Sequence, residues 1–84
     1  MKTFSIVKSV AGRDKGRLLA VVGECDGGVL VCEGKERPLE RPKLKNKKHL
    51  VFTGQSLNEE DLNSNKSLRH ALKRCEIKED SSYV

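Results

Sequence analysis

Two glycines and three cations crowd into the run Ala11-Gly12-Arg13-Asp14-Lys15-Gly16-Arg17, which lies between apolar stretches. Glycine reaches backbone angles closed to other residues, so this bend can be sharp and bring its main chain close to a partner, with Arg13, Lys15 and Arg17 arrayed around Gly16. A second run, Arg41-Pro42-Lys43-Leu44-Lys45-Asn46-Lys47-Lys48-His49, follows the apolar segments. The chemistry on offer is the capture of a polyanion. A solvated hairpin tip would account for the first run alone, since charge is common at turns. The second resists that explanation: four lysines and a histidine within Lys43 to His49 repel one another unless phosphates or counterions neutralise them. Lysine supplies a mobile point charge and arginine a planar fork for phosphate oxygens, a mixture that suits a nucleic-acid backbone better than base edges. One RNA-binding surface with weak sequence preference is expected, formed by Arg13, Lys15, Gly16, Arg17, Arg41, Lys43, Lys45, Asn46, Lys47, Lys48 and His49. Phe4, Phe52 and Tyr83 are the only aromatics, so platforms for splayed bases are scarce and backbone charge and shape must carry the binding.

Other chemistries find less support. Zinc sites in small domains usually use close pairs such as Cys-x-x-Cys, whereas Cys25 and Cys32 are separated by six residues and His70 and Cys75 lie far along the chain. These cysteines read as small apolar strand or helix residues, with no metal or other cofactor expected. No Cys-His signature suggests a nucleophile, and Glu59-Glu60-Asp61 reads as a solvated surface. Gly12 to Gly16 lacks the Lys-Ser or Lys-Thr pair of a nucleotide-binding loop. Neither an enzyme nor a small-molecule site is expected.

At 84 residues the chain has room for one small domain and a short appendage. Its net charge of +5 is unevenly spread: residues 1–17 carry five cations and one acid, 18–34 three acids only, 35–49 seven cations and two acids, and 50–84 five cations and six acids. The positive excess therefore sits in the two basic runs. No apolar run reaches the length of a membrane span and the N-terminus lacks a signal-peptide core, so a cytoplasmic protein without membrane partners is expected. An odd number of cysteines fits reduced thiols in that compartment.

Short apolar runs bounded by glycine predict strands over 4–10, 17–25, 29–32 and 50–53, with a weaker one over Glu36 to Glu40, where Pro38 demands an edge or a bulge. Asp26-Gly27 suits a type I′ turn between the second and third strands. Several strands joined by brief turns would expose both edges of an open sheet, so they are expected to curl into a small antiparallel barrel over residues 1–54. Its interior should draw on Val7, Leu19, Val21, Val29, Val31, Leu39, Leu50 and Phe52. Residues 55–84 read as a polar linker and a helix over 65–75, with Leu68, Ala71, Leu72 and Cys75 in one stripe, Ser64 or Asn65 as its cap, and a frayed end from 77. Ser56 to Glu59 matches a capping box and hints at a helical turn over 57–62.

The basic Gly-Arg-Asp-Lys-Gly-Arg bend between two strands, then Val29-Leu30-Val31, Gly34-Lys35 and the run from Arg41 to Leu50, resembles the KOW-motif domain. More narrowly it is similar to the large-subunit ribosomal proteins of the fourteen-e, six-e and twenty-seven-e group and to short bacterial relatives. The resemblance covers roughly residues 4–53, with Gly16 as the motif glycine. It implies a mainly β fold, a five-stranded SH3-like barrel, and binding to RNA, usually ribosomal RNA. The C-terminal helix falls outside the match and could reach a neighbouring ribosomal protein. An alternative from another class is an SH3-like module whose basic loops face an acidic protein while the Leu68 stripe docks in a hydrophobic groove. The shortage of aromatics speaks against a proline-rich ligand.

Overall fold

The computed structural model describes residues 3–81. Five strands, β1 (Thr3–Ser9), β2 (Leu18–Cys25), β3 (Gly28–Cys32), β4 (Lys43–Lys45) and β5 (Leu50–Asn58), form one antiparallel sheet in the order β4-β3-β2-β1-β5. A 3₁₀ turn over Lys47–His49 joins β4 to β5, a second spans Glu59–Leu62, and α1 (Asn65–Ser81) follows. This is the small, mainly β, five-stranded arrangement with a C-terminal helix that the sequence predicts.

The run Leu18-Leu19-Ala20-Val21-Val22 does not alternate because β2 is covered on both faces. Leu19 packs with Val7, Val29, Val31 and Leu50 on one side, with Val21 at the margin. Leu18 and Ala20 pack with Ile6, Cys32, Leu57 and the helix residues Leu68, Ala71 and Leu72 on the other. A strand buried on both faces has no reason to show a polar stripe. The helix thus lies against the outer face of the sheet, where its stripe is used up.

Two irregularities bend the sheet. Between Val21 and Gly23 strand β2 carries Val22 as an extra residue against β3. Opposite Ile6, strand β5 interposes Thr53, Gly54 and Gln55, and Thr53 Oγ1 fills the gap by donating to the Ile6 carbonyl at 2.9 Å. Bulges of this kind increase local twist and help a small sheet curl.

Several expectations need correction. Glu36 to Glu40 is not a strand: the Glu33 carboxylate accepts from the amides of Lys35 (2.8 Å) and Arg37 (2.7 Å), closing a loop before the chain can extend. The fourth strand is the short β4 instead. The Asp26-Gly27 turn is not type I′, because Gly27 has φ 88° while no described non-glycine residue has positive φ. Phe52 is 54% exposed rather than interior, and Leu39 packs against the helix-side cluster rather than inside the barrel. Strand β5 runs to Asn58, past the boundary at residue 54. The capping box is formed by Asn58 and Asp61, and it starts the 3₁₀ turn at Glu59. Helix α1 continues to Ser81, beyond both the expected end at 75 and the frayed stretch from 77; residues 82–84 lie outside the described residues. Among the described residues no helix is long and apolar enough to cross a membrane.

Candidate nucleic-acid interface

Ser9, at the end of β1, is 1% exposed and joins the two basic runs. Its amide donates to Arg17 O at 3.0 Å and its carbonyl accepts from Gly16 N at 2.7 Å, which closes the bend over residues 10–16. Gly16 takes φ 88°, a value that costs residues with a Cβ and not glycine. The hydroxyl of Ser9 accepts from Lys45 Nζ at 2.9 Å and lies 2.9 Å from both Ala11 O and Asp14 Oδ1, to one of which it donates. Lys45 Nζ also reaches Ala11 O at 3.3 Å and pairs directly with the Asp14 carboxylate. One residue further along, Val10 N donates to His49 O at 2.9 Å. The β1–β2 bend and the segment from Lys45 to His49 are therefore held side by side.

This arrangement removes Lys45 from the set of outward-facing cations. Its side chain is 11% exposed and that of Asp14 is 13% exposed. An ammonium has three donors, and those of Lys45 meet three protein acceptors. Asp14, the lone acid of the first run, is consumed in the same contact. Burial by itself would raise the Asp14 pKa, but hydrogen bonds from Lys45 and Ser9 and the nearby ammonium charge outweigh it and hold the carboxyl below its ordinary value. Sequence reading missed Ser9 and Asp14 as organisers. The available signal was a single acid inside an otherwise cationic bend.

The remaining candidates divide. Arg13, Lys15, Arg41, Lys43, Lys47, Lys48 and His49 are exposed. Asn46 is exposed but works locally, where its Oδ1 accepts from Lys48 N at 3.1 Å and caps the 3₁₀ turn that displays the lysines. Arg17 is exposed and paired with an acid, its Nη1 3.7 Å from Glu36 Oε2. It lines a groove of about 420 Å³ shared with Lys35, Arg69, Lys73, Glu33 and Glu76. Mixed charge makes this groove a poorer anion site than the two runs.

The start of α1 supports the same region. Ser64 caps the helix by accepting from Ser67 N at 3.1 Å. Asn65 is thereby released to hold the β3–β4 connection, accepting from Leu39 N at 2.8 Å and donating to the Glu40 carboxylate at 3.0 Å. Arg69 Nη1 adds a bond to Gly34 O at 3.0 Å. Burial, then Glu33 and Glu40, push the Cys32 thiol up to about 11, so it stays protonated at neutral pH and is a poor nucleophile. Among the described residues, no cluster of three His, Cys, Asp or Glu side chains could hold a metal ion. No protein-family model matches the chain, and no curated protein matches its sequence.

Proposed function

We propose that this chain is a non-catalytic RNA-binding protein of the KOW kind, acting in the cytoplasm on ribosomal RNA through its two basic segments. The observation that carries the reading is the knot of Ser9, Asp14 and Lys45. It uses the only acid of the first run internally and ties together the two segments that carry exposed Arg13 and Lys15 on one side and exposed Lys47, Lys48 and His49 on the other. Cations on two adjoining loops suit a phosphate backbone, which they would follow by charge and shape. Lys45 is a positioning residue in this reading. The alternative of a protein-docking module loses its helical contact surface, because Leu68, Ala71 and Leu72 are buried against the protein's own sheet.

Binding to RNA measured across a salt series tests the proposal. Neutralising about four phosphates would give a slope of roughly −3 in log affinity against log salt. The triple variant Lys15→Glu, Lys47→Glu, Lys48→Glu should lose ribosome co-sedimentation while keeping the wild-type thermal melt. Salt-independent binding, or unchanged sedimentation of this variant, would refute it. Retention of a protein partner after nuclease treatment would favour the alternative.

A further inference from the structure

Phe52 has no part in the knot, and its placement is unusual for a core aromatic. It faces Val7 across β1 and β5, yet it is 54% exposed while Val7 is fully buried. The cause is topological. Strand β5 ends the sheet order, so the ring has a neighbouring strand on one side only, and the bulge at Thr53 to Gln55 begins immediately after it. Val51, 53% exposed, is its neighbour in the strand and points to the opposite face, so the ring is the exposed apolar group of its own face at this edge.

What surrounds this surface argues for its occupant. From Arg41 to Asn58 the chain has five cations and no acid, and β1 has no acid either. Lys47, Lys48 and His49 are exposed on the turn that leads directly into β5. With no carboxylate on β5 or on its one neighbour β1, the exposed ring offers a π-face three to five residues along the chain from the cations of that turn. Single-strand binders combine these same two elements.

We propose that Phe52 is a stacking platform for an unpaired RNA base whose flanking phosphates lie against Lys47 and Lys48, so that the preferred ligand is single-stranded. This rests on the RNA reading above and narrows it. A duplex keeps its bases stacked on one another and offers the ring no free face, whereas a loop or an unpaired strand does.

Fluorescence titration at one fixed salt concentration tests this, using a single-stranded RNA carrying 2-aminopurine and a duplex of equal length. Wild type should bind the single strand more tightly and quench the probe. Both Phe52→Ala and Phe52→Leu should weaken single-strand binding on the order of tenfold and lose the quenching, while Phe52→Tyr retains both. Duplex binding should change less than about twofold, and the salt slope should stay as in wild type. The leucine variant keeps apolar bulk, so its loss is assigned to the ring rather than to folding. Leucine binding as tightly as wild type, or an equal loss on duplex and single strand, would overturn the stacking proposal and leave the electrostatic reading standing. Wild type binding neither RNA would overturn both. Tight capture of an acidic peptide in place of RNA, with the same Phe52 dependence, would replace the base with a protein ligand and also overturn the proposal.

Discussion

Lys45 shows how one side chain can look like a ligand contact and serve as a strut. Removing its ammonium leaves the Asp14 carboxylate 13% exposed without its counterion, which typically costs several kcal/mol. Lys45→Met is expected to lower unfolding free energy by about 3 kcal/mol, and adding Asp14→Leu should recover most of that. Chemical denaturation of both variants measures the difference. A pH signature accompanies it. Because the folded Asp14 pKa lies below its unfolded value, the pair's contribution is complete above about pH 4 and is lost as pH falls through the folded value, so stability rises with pH in the acid range. Lys45→Met should flatten that rise. The sequence could not separate Lys45 from Lys43, since both sit on one face of β4. They differ because Lys45 lies at the end of the strand within reach of Ser9, whereas Lys43 is exposed.

Strand β4 is short, and it gains its place through a close approach to β3. Gly28 pairs with Cys25 at the start of β3, and a Cβ there would overlap the Lys45 carbonyl. Gly28→Ala should therefore push β4 away, cost about 2 kcal/mol, and speed amide exchange at Lys43 to Lys45 relative to β1. Apolar runs in the sequence located β1, β2, β3 and the start of β5 because burial leaves a composition mark. They could not locate β4, since Lys-Leu-Lys carries no such mark and its pairing is set by neighbours. The same limit explains Phe52: the residue type announces a core position, but a ring on an outermost strand has too few neighbours to be covered.

Eighty-four residues give a modest core, and here it is divided by the sheet into two layers. The outer layer exists only because α1 covers it. Leu68 is fully buried, and Leu68→Ala is expected to cost about 3 kcal/mol by leaving a cavity against Ile6 and Ala20. RNA affinity measured well below the melting temperature should be unchanged, since Ser9 and Val10 of the β1 end hold the cationic turn and the substitution leaves the Asn65 side-chain contacts in place. The helical stripe was legible from spacing alone. Its destination was not, because an apolar stripe fits a partner's groove and the chain's own sheet equally well. Asn65 gives this cover a second consequence. By gripping Leu39 N and the Glu40 carboxylate, the first turn of the helix anchors the approach to Arg41. Loosening that first turn would thus slacken the loop leading into β4, a dependence that reaches across 25 positions of the chain.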